Sequence, residues 1–308
     1  MYTFRRRMIV KKLALVCIVL LSVGAMVSGA CPRADISGDC KVDLEDLAIM
    51  ASEWLTAGSP EPAGMVLIPI NYITEGFTGE MSKYETTNAQ YCEFLNAALA
   101  SGDITVDSSS GYVKSASGSY SGYAYYNYRG VGNTTNGATD GGASRIDWYN
   151  KVKPIGAFIV EKGFENHPVT YVTWYGATAF CDYYGYRLPT EFEWQAVADY
   201  DGNYTYGCGT SINNSIANYY NSTHPNGTTV VGSFGSYGYG MCDMAGNVSE
   251  WTDSLYIEST LIGNYYVLRG GGWSDGGTTC TVSSSNGRLT TWNPTGTTEE
   301  LIGFRVCR

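Results

Sequence analysis

The sequence is poor in charge, in basic surplus and in histidine. Only 16% of its 308 residues are charged, and 19 lysines and arginines face 29 aspartates and glutamates, a net charge of −10. Binding a polyphosphate backbone depends on a surplus of bases that releases counterions, so no nucleic-acid partner is expected. The two histidines, His167 and His224, are too few for a multi-histidine metal centre. No two cysteines stand in a C-x-x-C pair, which removes zinc-ribbon and thioredoxin-like readings. What is plentiful is Gly (38) and Tyr (26), in a chain that is 44% apolar with seven Trp, enough to build a core rich in loops.

Bases at Arg5, Arg6, Arg7, Lys11 and Lys12 precede an apolar stretch at 13–23, and Ser28, Gly29 and Ala30 form a small-x-small cleavage site. Residues 1–30 read as a secretory signal peptide, with a retained membrane anchor as the alternative. After cleavage no transmembrane span is expected, and the location is secreted, cell-surface or periplasmic. Cys31 follows directly, so a lipoprotein anchor at Cys31 is a variant, although Ser28 stands where an aliphatic residue is preferred. Cys17 leaves with the leader, and the others (Cys31, Cys40, Cys92, Cys181, Cys208, Cys242, Cys280, Cys307) are even in number, which points to disulfides of open connectivity.

The stretch DISGDCKVDLED at 35–46 sets side-chain oxygens of Asp35, Ser37, Asp39, Asp43 and Asp46 at the spacing of a calcium loop, with the Lys41 carbonyl filling the remaining in-loop position. Leu44, Leu47, Ala48, Ala51 and Leu55 then recur at helical spacing. Residues 31–57 resemble one half of a dockerin module, which implies a protein partner docked through this segment. Two departures stand out: Cys40 replaces the glycine of the sharp turn, and only one loop-helix half is present. Residues 58–64, rich in Gly, Ser, Pro and Glu, read as a linker.

From residue 65 to 308 the pattern predicts short strands, loops and helices over 87–97 and 173–184. A third helix starts at Pro189 and Thr190, with Glu193 completing a capping box. The segment 101–150, polar and rich in Tyr and Gly, reads as a long surface excursion. The class expected is α+β. Trp174, Trp194, Trp251 and Trp273 are expected in the core. Arg187, Glu191, Glu193, Arg269 and Arg305 are expected to pin loops through ion pairs.

The blocks MVLIP (65–69), KYETTNAQY (83–91), HPVTYVTW (167–174), YRLPTEFEW (186–194), GMCDMAGNVSEW (240–251), VLRGGGW (267–273) and GFR (303–305) resemble, in order, the sulfatase-modifying factor or formylglycine-generating enzyme family. The resemblance implies a variant of the C-type-lectin-like fold with little regular secondary structure. It also implies a reaction in which a sulfatase cysteine is oxidised to formylglycine at a copper(I) ion held by two thiolates. Here the second thiolate position falls on Cys280, but the first falls on Asp275, and Gly272 stands where active members carry serine. A carboxylate is a hard, poor ligand for soft Cu(I), so the expectation is a chain without copper and without that oxidation. It would act instead as a binding or scaffold module for a carbohydrate or peptide ligand. The alternative is an active oxidoreductase that uses Cys280 with an atypical second ligand. The resemblance further implies structural calcium at Asn247, the Val248 carbonyl and Glu250, and a second, incomplete calcium site at Asn218.

Overall fold

The computed structural model describes residues 61–71, 77–129, 144–149, 156–220, 227–256, 265–289 and 299–308. The expected leader (1–30) and calcium loop-helix (31–57), with Asp35, Ser37, Asp39, Lys41, Asp43 and Asp46, lie outside these residues. Only 61–64 of the linker are described. The site is carried by one unit, 62–181 with 186–308.

Strands β1 (Leu67–Asn71) and β2 (Thr78–Ser82) pair antiparallel. Helix α1 (Asn88–Ala100) begins at Thr87, whose hydroxyl accepts from the Gln90 amide while the Gln90 side chain accepts from the Thr87 amide, so two otherwise orphaned N–H groups are satisfied reciprocally. Its buried Tyr91, Phe94, Leu95 and Ala98 follow helical spacing. Strands β3 (Ile104–Asp107), β4 (Tyr112–Ser115) and β5 (Ala124–Asn127) form an antiparallel sheet, and β6 (Ile146–Tyr149) pairs with β7 (Ala157–Val160). Helices α2 (Trp174–Tyr184) and α3 (Glu191–Ala198) follow. The last sheet has the order β10-β9-β8-β11, from β8 (Ser249–Tyr256), β9 (Tyr265–Arg269), β10 (Asn286–Leu289) and β11 (Ile302–Gly303), with β11 parallel to β8. The architecture is mixed α/β, with few helices and small sheets. Among the described residues no helix is long and apolar enough to cross a membrane.

Two expectations need correction. The described residues of the excursion 101–150 contribute core: β5 is buried throughout, Val113 and Ile146 are inaccessible, and the Tyr125 carbonyl accepts from the Thr173 amide at the start of α2. Tyrosine looks polar in a composition count, yet its ring buries as much apolar area as a phenylalanine when the hydroxyl finds a partner. Gly176 shows how closely α2 approaches β5, since a Cβ there would lie 2.1 Å from the Tyr125 carbonyl oxygen. Secondly, Cys92, Cys208, Cys242, Cys280 and Cys307 are free buried thiols, so the expected disulfides are not formed among these five.

Packing gathers in aromatic and apolar groups. Tyr91, Phe94, Phe180 and Phe304 interlock with ring centroids 5.3 to 6.0 Å apart, joining α1, α2 and the residue after β11. Trp194, Val197, Met81, Met241 and Met244 form a second group between α3 and β2. All four tryptophans named above are buried.

Candidate functional site

Strand β9 delivers Arg269 into a buried junction. Its Nη2 donates to Glu191 Oε2 and Gln195 Oε1 on α3, both at 3.0 Å, and its Nη1 donates to the carbonyls of Val282 (2.9 Å) and Ser284 (3.0 Å). This arginine fixes the departure of the loop that follows. The chain turns through Gly270 (φ 90°) and Gly271 (φ 71°), left-handed geometry that favours glycine. A Cβ at Gly271 would lie 2.8 Å from Cys280 Sγ, so the glycine also makes room for the sulfur.

Asp275 and Cys280 are thus brought into one loop, but in different roles. Asp275 Oδ2 accepts from the Gly272 amide at 2.8 Å, and the Asp275 amide donates back to the Gly272 carbonyl at 3.0 Å, closing a turn. The Asp275 carbonyl accepts from the amide of Tyr220, which is 72% exposed and left-handed at φ 53°. Cys280 is fully buried, and its thiol is pushed up to about 12, first by burial and then by Asp275 and Cys208. At neutral pH this thiol is therefore protonated. One buried thiol and one carboxylate already engaged by a backbone amide do not fit a two-thiolate copper site.

The side chains of Asn247 and Glu250, implied by resemblance as calcium ligands, are also spoken for. Asn247 Oδ1 accepts from the Thr229 amide (2.8 Å), the Thr229 hydroxyl (3.2 Å) and Asn218 Nδ2 (3.3 Å). Both Glu250 oxygens face donors, with Arg305 Nε and Trp194 Nε1 on Oε2 and Arg305 Nη2 on Oε1, each at 2.7 Å. A dication at Glu250 would meet the Arg305 guanidinium, so this set does not fit calcium. Asn218 Oδ1 differs: it is buried and has no partner among the described residues. Of the carried-over side-chain oxygens, this orphaned one fits a cation.

Several residues here escaped sequence reasoning. Glu85 is 1% exposed, accepts from the Val248 amide (3.1 Å) and from Asn247 Nδ2 (2.6 Å), and is held well above the usual carboxylate range, chiefly by burial. Asp243 accepts from the Gly232 amide at 2.6 Å, and burial raises it to about 6. Its place in the GMCDMAGN block was the available signal, and the structure adds a left-handed φ of 56°. Glu85 also lines a cleft of about 280 Å³ with Tyr84, Thr87 and Asn166, rimmed by exposed Val66 and Val230. Cys208, in the GCG turn, shares a buried apolar cluster with Ala217, Ala245 and Cys280. Trp273 Nε1, beside the same loop, is a buried donor without a partner among the described residues. Elsewhere Trp174 stacks on Tyr266 (3.9 Å), and Tyr175 meets Tyr120 (5.0 Å) and Tyr123 (4.5 Å), an aromatic patch whose tyrosines at 120, 123 and 266 are half-buried. His167 is half-buried against the Thr228 hydroxyl, an ordinary structural histidine.

Among the described residues, small sheets, three helices and an arginine-glycine turn closed over a buried thiol define a domain of the formylglycine-generating-enzyme type. The chain belongs to the sulfatase-modifying factor enzyme 1-like domain family, whose profile matches residues 71–308. It is 40% identical over 134 residues to the serine/threonine-protein kinase pkn1 of Chlamydia caviae, which covers 38% of this chain and 21% of the kinase. It is 32% identical over 152 residues to the inactive C-alpha-formylglycine-generating enzyme 2 of Bos taurus, covering 45% of this chain and 49% of that protein. The alignments therefore span about a fifth of the kinase and about half of the bovine protein. Among solved structures, the crystal structure of CarF superposes with a TM-score of 0.51 at 22% identity, over 82% of this chain and 95% of that one. The likeness to CarF is one of fold.

Proposed function

We propose that this chain is an exported family member that has lost copper-dependent cysteine oxidation and serves as a ligand-binding or scaffold module. The observation that carries the reading is Asp275: where the family's first thiolate would stand, a carboxylate closes a turn on the Gly272 amide. The leader-like residues 1–30 support export, and the loop at 35–46 supports a calcium-dependent scaffold role. The half-buried tyrosines around Trp174 and Tyr175 favour a carbohydrate or peptide, whose rings or apolar edges stack on aromatic faces. The fold is taken as a C-type-lectin-like variant on the strength of the family.

The test is direct. Purified protein, reduced and loaded with Cu(I), is incubated in air with a sulfatase-derived cysteine peptide. The expected outcome is no aldehyde by mass spectrometry and no stoichiometric copper; conversion of the peptide would overturn the reading. A second reading, the active oxidoreductase with an atypical ligand, is favoured by one observation, the Cys208 thiol in the same cluster as Cys280. It requires tight Cu(I) binding that both Cys280→Ser and Cys208→Ser abolish.

Calcium is proposed at Asn218, where an oxygen waits without a donor. Added calcium is expected to raise the thermal midpoint of chelator-treated protein, and Asn218→Ala to remove part of that rise. No response to calcium in the wild type would end this assignment.

A further inference from the structure

We infer that Cys208 and Cys280 form a redox pair that closes an intramolecular disulfide, locking the turn at 206–209 to the loop at 270–280. The two sulfurs belong to segments that the fold lays side by side. Tyr206 and Gly209 exchange backbone hydrogen bonds (2.8 and 2.9 Å), making a tight turn with Cys208 inside it. Tyr206 is bridged antiparallel to Thr281, the neighbour of Cys280, and the Val282 amide donates to the Thr205 carbonyl at 2.9 Å. Both cysteines are free, and both pack with Ala217 and Ala245. The buried neighbours of both sulfurs are small alanines, with Tyr206, Ile212 and Tyr219 packed against the outside of the cluster, and the missing Cβ at Gly271 makes room for Cys280 Sγ. Their mutual influence is visible in the thiols themselves, since Cys208 is among the groups that push Cys280 up.

The chemistry is thiol-disulfide exchange with a low-molecular-weight disulfide. Cys208 attacks first: it is 8% exposed against 0% for Cys280, and its thiol is raised only to about 11. Its thiolate breaks the small disulfide, forms a mixed disulfide and releases one small thiolate, which takes up a proton. The Cys280 thiolate then displaces the second small thiol. Two protein thiols are oxidised by two electrons, and one small disulfide is reduced to two thiols. Closure ties the turn carrying Asp275 and Trp273 to the 206–209 turn. Reduction releases it.

The full chain is refolded from the reduced, denatured state in glutathione buffers of rising oxidised-to-reduced ratio, so that access to the buried sulfurs does not limit the reaction. Remaining thiols are alkylated and peptides are mapped without reduction. The expected result is a linked peptide containing Cys208 and Cys280, with alkylation lost at both in step and restored by reductant. Cys208→Ser should leave Cys280 fully alkylated, and Cys208→Ala serves the same purpose should the serine variant fail to fold. The oxidised wild type should melt higher than the reduced form by about 5 °C or more, a gain absent from the variant. Recovery of Cys280 alkylated at the most oxidising ratio, or linked to Cys242, Cys307 or any other cysteine, overturns the pairing. The readout is linkage, independent of any oxidase or ligand assay.

Discussion

Asp243 shows how much one buried group can decide. Three carboxyls, Glu85, Asp243 and Glu250, surround a single buried cation, Arg305. Burial lifts Asp243 from 3.8 to about 6, against the pull of the Gly232 amide and Arg305, with Glu250 adding to the rise. A carboxyl whose pKa rises on folding binds its proton more tightly in the folded state. Its contribution to stability is complete below the unfolded value near 4 and is lost as pH rises through about 6. Two units correspond to about 3 kcal/mol. Asp243→Asn keeps an acceptor for the Gly232 amide and tolerates the left-handed backbone, so the variant should flatten the stability profile between pH 4 and 6 and exceed wild type at pH 7 by about 2 kcal/mol. Urea midpoints across that range check it; a slope unchanged in the variant would assign the titration elsewhere.

Helix α3 illustrates an element readable from its letters. Thr190 accepts from the Glu193 amide (3.2 Å), Glu193 Oε2 accepts from the Thr190 amide (2.8 Å), and the same carboxylate pairs bidentately with Arg187 at 2.7 Å. The P-T-x-x-E pattern encodes all but the arginine contact. Thr190→Ala is expected to lower stability by about 1 kcal/mol with an unchanged denaturant slope, read by equilibrium urea unfolding. Helix α1 was legible as an element, while the structure chooses Thr87 over Thr86 as its cap and ends it three residues beyond the expected 97. Strands β3 to β6 were not, because four residues are too few to set a period, and a strand such as AYYN in β5 owes its burial to neighbours remote in sequence.

The molecule as a whole is tied by side chains that reach across most of its length. Arg305 donates to the carbonyls of Ser82 (3.1 Å), Lys83 (3.2 Å) and Cys242 (3.0 Å) besides its pair with Glu250, joining β2, the 240s turn, β8 and the C-terminal residues. Removing one partner of a fully buried pair leaves an uncompensated charge, so Arg305→Met should cost about 3–5 kcal/mol, measured by urea denaturation. A cost below about 1 kcal/mol would show that the arginine does not hold these segments together. Trp251 adds a further tie, its Nε1 donating to the Val172 carbonyl at 3.0 Å.

Local chemistry in the chain was sufficient to specify the capped helices, the buried tryptophans, the family and the replacement of a thiol by Asp275, because each depends on residue type and short-range spacing. Which thiol neighbours Cys280, which carboxyls crowd Arg305 and which oxygens remain without donors depend instead on segments separated by tens to hundreds of residues. Burial in a common, water-poor interior is what turns those remote residues into partners, and no spacing rule along the chain encodes that proximity.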